Sequence, residues 1–341
     1  MQKIDFVVTW VDGSDPVWLK EKNMYLGGDA ATSGTDVDAN ANCRYRDYGV
    51  LRYWFRAVER FAPWVNRVFF VTCGQKPEWL DESCPKLRLV NHTEYIPAEW
   101  LPTFQSNAIE LNLHRIADLS ERFVLFNDDT FLLQSIPPEF FFKGGLPVIP
   151  CDLAIPRWIG GSNTSHVIIN NTGVLKAGLD VERLIRKNFL KYVNVCALGP
   201  VRAIKNAVSF AVNRAFIPGM FGHMPQSHLK STFEEIWRAR PHALERTSQS
   251  RFRTNDCVNQ WLASAWNVVS GRFYPANEKR RGEFITLTDQ TLEMACGVIR
   301  SQATSQICLN DKGVNADSDR CFGEIAKAFE SILPEKSSFE K

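Results

Sequence analysis

The sequence predicts an α/β fold with a mainly parallel sheet, followed by a helix-rich second half. Two observations carry that reading. Short runs of strand character alternate with longer runs of helical spacing through the first 133 residues, the pattern of a doubly wound sheet. From residue 176 to 335 helical spacing dominates. The composition permits such a fold, because 45% hydrophobic and 23% charged residues in a chain of 341 supply ample apolar surface for a large core.

Taken in order, “IDFVVTW” (4–10) is a β-branched and aromatic run closed by the turn-forming “VDGSDP”. Residues 26–42 are small and polar and read as a long loop. “YGVLRYWFRAVERFAPW” sets Leu51, Trp54, Phe55, Val58 and Phe61 at helical spacing, with Pro63 as the stop. Val68 to Thr72 and “KLRLVNH” are the second and third strands. “SNAIELNLHRIADLS” reads as an amphipathic helix that starts at a Ser106 cap and aligns Ile109, Leu113 and Ile116. “RFVLFNDDTFLL” (122–133) is the fourth strand, interrupted by Asn127, Asp128 and Asp129.

In the second half “SHVIINNTGVLK” reads as another strand and 181–192 as a helix. Residues 198–216 form a basic amphipathic helix with Val201, Ile204, Val208 and Val212 on one side and Arg202, Lys205 and Arg214 as its charges. Core or acceptor-side packing is the favoured use of that apolar side, with peripheral contact to an anionic membrane as the other reading. Helices are expected again at 229–240, 256–269, 290–300 and 319–332. No repeat or linker divides the chain, so it reads as one domain over 1–341, with an α/β half at 1–175 and a helix-rich half at 176–335.

Several function classes lose support at this level. A net charge of +2 gives no bulk argument for binding nucleic acid. Nine scattered cysteines without a CxxC pair argue against a zinc ribbon or a disulfide scaffold. The chain opens on a strand rather than a leader, and no apolar run reaches the ~18 residues of a spanning helix. A cytoplasmic protein is the expectation.

The chemistry is expected where strands end. “VVTWVDGSD” and “VLFNDD” both run from an apolar strand into carboxylates, and ligands of open α/β sheets bind at the carboxyl ends of strands. Asp12, Asp15, Asp128 and Asp129 are therefore candidates to converge. Adjacent carboxylates repel unless a cation neutralises them, which suits Mg²⁺ bound with substrate phosphates. The competing reading is ordinary turn chemistry. His223 in “FGHMPQSHLK” is a candidate general base, set against a merely packed or exposed histidine. In “SRFRTNDC” Arg251 and Arg253 suit phosphate oxygens, whereas Asn255 or Asp256 capping a helix is the plainer alternative.

These blocks resemble a known family. “IDFVVTWVDGSDP”, “RYRDYGVLRYWFRAVERFAPWVNRVFFVTCGQKPEWL”, “LPTFQSNAIELNLHRIADLSERFVLFNDDTFL”, “HMPQSHLK” and “RFRTNDCVNQW” are similar, in order, to the four conserved regions of the Stealth family. That family comprises bacterial capsule and exopolysaccharide phosphotransferases and the catalytic subunit of the eukaryotic lysosomal-enzyme N-acetylglucosamine-1-phosphotransferase. The resemblance implies a GT-A-like nucleotide-sugar-binding fold. It also implies transfer of a sugar-1-phosphate from a nucleotide-diphosphate sugar, such as a UDP-linked hexose or N-acetylhexosamine, to a glycan acceptor, with Mg²⁺ or Mn²⁺. On that pattern His223 is the base, Arg253 and Asp12 join it in catalysis, and Asp128 and Asp129 hold the metal. Asn107, Glu110, Asp15, Arg46, His114 and Asp256 are then substrate-binding, with the His and Arg blocks and acceptor contacts in the helix-rich half. A metal-dependent glycosyltransferase of the same fold and a non-catalytic polysaccharide-binding protein are the rival readings.

Overall fold

The computed structural model describes residues 3–29, 45–46, 49–151, 153–154, 163–212, 217–218, 223–277, 281–311 and 318–341. The first half runs β1 (Ile4–Thr9), α1 (Pro16–Asp29), α2 (Leu51–Phe61), β2 (Val68–Thr72), β3 (Leu87–Asn91), α3 (Ser106–Leu111), β4 (Arg122–Asn127) and β5 (Thr130–Leu132). Short strands β6 (Phe142–Lys143), β7 (Leu146–Pro150) and β8 (Leu153–Ala154) lead into helices α4 (Asn163–Gly178), α5 (Val181–Lys187), α6 (Phe189–Tyr192), α7 (Val195–Leu198) and α8 (Pro200–Val212). Then come β9 (Ile217–Pro218), β10 (Gln226–Leu229), α9 (Lys230–Ala239), α10 (Pro241–Gln249), α11 (Trp261–Val269) and β11 (Tyr274–Ala276). The described chain closes with β12 (Glu283–Leu287), α12 (Leu292–Ser301), β13 (Gln306–Asp311) and α13 (Ser318–Ile332).

The central sheet has the order β10-β4-β1-β2-β3, with β4, β1, β2 and β3 parallel and β10 antiparallel at the edge. Its strands are apolar on both faces, as expected of a sheet covered on both sides. Because side chains alternate, Phe6, Val8, Val68, Phe70, Val124 and Phe126 enter one core with α2, α12 and α13. Val7, Phe69, Val71, Phe123 and Leu125 enter the other, with α3, α4, α9 and α11. The second half is woven into the first: β10 joins the central sheet, and β13 pairs antiparallel with β5.

The mainly parallel sheet and helix-rich second half are present as expected, and α2 buries all five predicted apolar positions. Two expected helices are shorter, 106–120 ending as α3 at Leu111 and 256–269 beginning as α11 at Trp261, and four elements differ more. Residues 16–29 form α1, although Pro16 reads as part of a turn and 26–29 as the start of a loop; Asp15 Oδ1 accepts hydrogen bonds from the N–H of Val17 (2.8 Å) and Trp18 (3.4 Å), and Pro16 opens the first turn. Residues 30–42 of the expected loop lie outside the described residues. The expected strand at 165–176 is inside α4, because Val174 and Leu175 are buried in the second core and Asn170 and Asn171 bind the loop before α11; tertiary packing overrides β-branched preference. Ser106 is not a cap but the first residue of α3, and its hydroxyl serves Arg253 instead. The fourth change concerns α8, whose Val201, Ile204, Val208 and Val212 are exposed rather than packed; residues 213–216 of that expected helix lie outside the described residues. No helix among the described residues is long and apolar enough to cross a membrane.

Candidate active site

Strand order places the crevice. The chain moves from β1 outward to β2 and β3, then returns to the opposite side of β1 as β4, so the topological switch lies between β1 and β4. Thr9 pairs with Asn127 at the last register position, which brings the carboxyl ends of both strands side by side. Asp12 follows the first by three residues and Asp128 the second by one. The loop carrying Asp12 is pinned: Gln75 Oε1 accepts from Asp12 N–H at 3.0 Å, and Gln75 Nε2 donates to Asp12 O at 3.0 Å. Asp12 Oδ1 accepts from the Ser14 N–H and hydroxyl at 2.8 and 2.6 Å. Gly13 lets this loop pass under Tyr45, where a Cβ would come within 2.1 Å of the Tyr45 carbonyl oxygen, which itself accepts from Gly13 N–H at 2.7 Å.

Asp128 and Asp129 form the turn by which the chain leaves the central sheet for the β12-β13-β5 sheet. Asp129 O accepts from Leu309 N–H at 2.8 Å, and Cys308 Sγ donates to Asp129 Oδ2 at 3.5 Å. Burial, then the charges of Asp129 and Asp128, pushes the Cys308 thiol well above its ordinary range. Two residues beyond Leu309, buried Asp311 pairs with Arg46 at 3.6 Å. Tyr45 and Arg46 thus join the β1 loop to the end of β13.

Tyr45 also faces the arginine block. Its hydroxyl donates to Phe104 O at 2.9 Å, and burial raises its pKa to about 12 against the pull of nearby Arg253. Arg253 Nη2 donates to Ser106 Oγ at 2.9 Å, one helical turn before Glu110. Glu110 is buried, and burial lifts its pKa to about 7 although Arg253 and Ser106 draw it down. Asn107, on the same short helix, is buried with its Nδ2 lacking a hydrogen-bond partner among the described residues. The segment is braced by Gln105 Nε2 donating to Thr247 O (3.1 Å) and by Phe104 N–H donating to Arg251 O (2.8 Å).

His223 is exposed and stacks on Phe284, ring centroids 5.2 Å apart, with Trp261 edge-on at 6.0 Å. It precedes β10 by three residues, and β10 runs antiparallel to β4, so His223 and Asp128 leave the same end of the sheet. His114 is not brought to this group. It packs between Phe233 and Trp237, and burial lowers its pKa to about 4, which keeps it neutral. Asp256 is exposed, accepts from Thr254 Oγ1 at 2.5 Å and pairs with Arg246 at 3.7 Å. Asp15 caps α1 and accepts from Gln75 Nε2 at 3.0 Å; that bond and the α1 amides hold its carboxyl below the usual range.

Three residues were not singled out from the sequence. Asp311 ends “ICLND”, the same strand-then-Asn-Asp form as “VLFND”, and that form was the available signal. Tyr45 carries no local pattern. Lys22 lies buried on α1, its Nζ 3.8 Å from the Tyr45 ring centroid, and burial lowers its pKa.

The acidic turn fits a hard divalent cation. Asp128 and Asp129 stand side by side there, and Mg²⁺ or Mn²⁺ needs only one or two protein carboxylates when phosphates and water complete its shell. Among the described residues no group of three or more His, Cys, Asp and Glu is disposed to hold a metal alone.

Comparison with known proteins places the chain in a family. The models for conserved regions 1 and 2 of Stealth proteins match residues 2–30 and 44–147. A capsular polysaccharide phosphotransferase, WcwK, from Streptococcus pneumoniae is 39% identical with 100% of both chains covered. A receptor polysaccharide phosphotransferase, WefC, from Streptococcus oralis is also 39% identical over 100% of both chains. An exopolysaccharide phosphotransferase, cps2G, from Lactiplantibacillus plantarum is 35% identical over 99% of this chain and 96% of its own. The solved galactosyltransferase LgtC, in complex with donor and acceptor sugar analogs, covers 95% of both chains at a TM-score of 0.40 and 11% identity, too slight a likeness to carry an argument. On the strength of its full-length relatives and both matched regions, the chain belongs to the Stealth family.

Proposed function

We propose that this protein transfers a sugar-1-phosphate from a nucleotide-diphosphate sugar to a hydroxyl of a capsular or exopolysaccharide and releases a nucleoside monophosphate. One observation supports the reading: the dipeptide Tyr45–Arg46 touches the loop after β1 through Gly13 and the end of β13 through Asp311, and it lies near Arg253. A diphosphate bound across the β1–β4 crevice would thus lie between an arginine fork and carboxylates suited to a cation. The polysaccharide phosphotransferase relatives support the same class of transfer.

A phosphodiester phosphorus is shielded by its own negative oxygens, so catalysis rests on positioning and charge neutralisation. The acceptor oxygen attacks the sugar-bearing phosphorus and forms the new P–O bond. The bond from that phosphorus to the bridging oxygen breaks, and its electron pair leaves with the nucleoside monophosphate. His223, solvent-accessible and oriented by Phe284, takes the acceptor proton on a ring nitrogen. Arg253, steadied by Ser106, binds the equatorial phosphoryl oxygens. Asp128 and Asp129 would hold Mg²⁺ or Mn²⁺, whose contribution is to neutralise charge on the diphosphate. Asp12 and Asn107 line the donor side.

The test is product analysis with purified protein, a panel of nucleotide sugars, Mg²⁺ or Mn²⁺, and short glycan acceptors. Nucleoside monophosphate and a phosphodiester-linked product are expected. Nucleoside diphosphate with a glycosidic product would instead establish attack at the anomeric carbon, the chemistry of a glycosyltransferase.

A further inference from the structure

The ring on which His223 stacks differs from the other aromatic side chains of this protein. Phe284 is 44% exposed, and no other Phe, Tyr or Trp side chain among the described residues is exposed. Most of the rest lie in the two cores that flank the central sheet. A lone apolar side chain in water carries no message by itself. The position of Phe284 does. His223 covers one face, with ring centroids 5.2 Å apart and planes inclined by 29°, and the ring is still open to solvent elsewhere.

Packing fixes this pair from both sides. In the β12–β13 ladder Phe284 stands opposite Cys308, and Ile285 opposite Leu309. Ile285, Leu287, Ile307 and Leu309 enter the first core, so alternation sends Phe284 and Cys308 to the other face of the small sheet. His223 is brought to that face by its neighbour. Met224 is buried, and its carbonyl accepts from Gln226 Nε2 at 2.7 Å. Gly282 makes room for Met224, because a Cβ there would come within 2.5 Å of Met224 Sδ and 2.8 Å of Gln306 O. Trp261, at the start of α11, meets the His223 ring edge-on at 6.0 Å.

The same face leads to the acidic turn. Cys308 stands opposite Thr130 in the β13–β5 ladder, and Cys308 Sγ donates to Asp129 Oδ2 at 3.5 Å. Phe284, Cys308 and Thr130 therefore form one row across three strands, about 10 Å from first to last. Asp129 stands at the far end of that row. With phosphoryl transfer as the reaction, the donor diphosphate belongs at the Asp129 end and the acceptor hydroxyl at His223. The sugar unit that carries this hydroxyl then arrives beside Phe284.

We propose that Phe284 is the stacking platform for a pyranose ring of the acceptor glycan, and so a specificity-determining residue of the transfer. A pyranose presents C–H groups on its ring face, and these suit the negative face of an aromatic ring. Its hydroxyls lie around the rim, where one can reach His223. A single ring with exposed Glu283 and half-buried Thr286 beside it on β12 suits a sugar, which is apolar on its face and polar at its edge, better than an extended apolar ligand. That the stacked sugar is the acceptor rests on the transfer reading; the stacking itself does not.

The experiment is saturation-transfer NMR of the full chain with the methyl β-glycosides of glucose, galactose, N-acetylglucosamine and N-acetylgalactosamine, which reads the contact without turnover. Saturation of the ring C–H protons of at least one glycoside is expected. It should be lost in Phe284→Ala and Phe284→Leu and kept in Phe284→Trp, because the contact needs a flat aromatic face and not merely apolar area. With short glycan acceptors, Phe284→Ala should raise the acceptor KM on the order of tenfold and leave the donor KM at the parent's value. Circular dichroism of each variant checks that the fold is retained. No saturation of any of the four glycosides, or saturation that Phe284→Ala retains, would overturn the proposal. So would a fall in kcat at unchanged acceptor KM, because Phe284 would then serve only to hold the His223 ring. Release of nucleoside diphosphate would instead overturn phosphoryl transfer while the saturation pattern stood, so the two failures are distinguishable.

Discussion

Two arginine–glutamate corners in this molecule, each with a buried carboxyl, share their chemistry and differ in their outcome. On α2, Arg56 grips Glu340 with two parallel bonds, Nε to Oε1 at 2.8 Å and Nη2 to Oε2 at 3.0 Å. Its Nη1 also donates to Glu330 Oε2 at 2.9 Å and Leu333 O at 2.8 Å. Burial opposes ionisation of Glu340, yet the Arg56 bonds and the Ser337 amide hold its carboxyl below the usual range. At the crevice, Arg253 donates to Ser106 rather than closing a fork on Glu110, and burial wins, lifting Glu110 to about 7. Direct bidentate contact compensates for lost water; contact through an intervening hydroxyl does not. The first corner fastens the C-terminal segment to α2. The second leaves a titratable carboxyl beside an arginine that is bonded to Ser106 instead.

The largest expected effect breaks the crevice corner. Arg253→Ala should lower turnover on the order of 10³-fold, the scale on which arginine stabilises a transferred phosphoryl group. The unfolding midpoint should stay near that of the parent. A variant that unfolds early but turns over normally would make Arg253 structural, like Arg56. His223→Ala follows, with a loss on the order of 10²–10⁴-fold, read in turnover with donor binding retained by calorimetry; undiminished turnover removes His223 from proton transfer.

Arg56→Ala should do the opposite. Glu340, 2% exposed, would be left as a buried charge without its fork, at a cost of about 3–5 kcal/mol in stability. Urea unfolding measures that loss, and turnover of the folded fraction should be unchanged. Loss of turnover at full stability would show that the C-terminal corner reaches the chemistry.

Glu110 gives the comparison a pH axis. Its folded pKa of about 7 lies above the ordinary 4.5, so between those values the folded state holds a proton that the unfolded chain has released. Stability therefore falls as pH rises from about 4.5 through about 7. Glu110→Gln removes this titration, and its unfolding midpoint should fall less steeply than the parent's over that window. Parallel curves would mean that Glu110 is ionised in the folded state throughout. Glu340 has the reverse sign, since its depressed pKa adds stability above its unfolded value that is lost as pH falls.

What could be read in the sequence follows the same division. The central strands were legible because alternate side chains feed two cores, and α2 because its apolar residues recur at helical spacing and stop at Pro63. The strand-end acids were legible because an apolar run ending in Asp-rich turns is a local pattern. Asp15 and Pro16 were an available start signal for α1 that the small residues after it obscured. α4 is not legible, because its β-branched residues speak for a strand while its contacts, made with residues about ninety positions away, hold a helix. Pairings such as Arg46–Asp311 and Arg253–Ser106 are set by topology across 265 and 147 positions, and no local spacing encodes them. The apolar stripe on α8 is legible in its periodicity, which shows only that a stripe exists; the Asn206 bonds show which way it faces.

The smallest effect separates orientation from charge. Ser106→Ala leaves Arg253 and its charge in place and removes only the bond at 2.9 Å. A hydrogen bond to a charged group contributes about 1.5–3 kcal/mol, and the partly exposed guanidinium recovers some of that from water. Turnover should therefore fall about tenfold, well short of the loss in Arg253→Ala, with donor affinity less affected than rate. The hydroxyl also draws the Glu110 pKa down, so its removal should move the Glu110 titration upward and steepen the loss of stability below neutral pH. If Ser106→Ala matches Arg253→Ala in rate, the hydroxyl itself touches the reacting phosphoryl group. If it changes neither rate nor titration, Arg253 is oriented by other contacts, and the crevice corner then resembles the Arg56 corner more closely than its pKa values suggest.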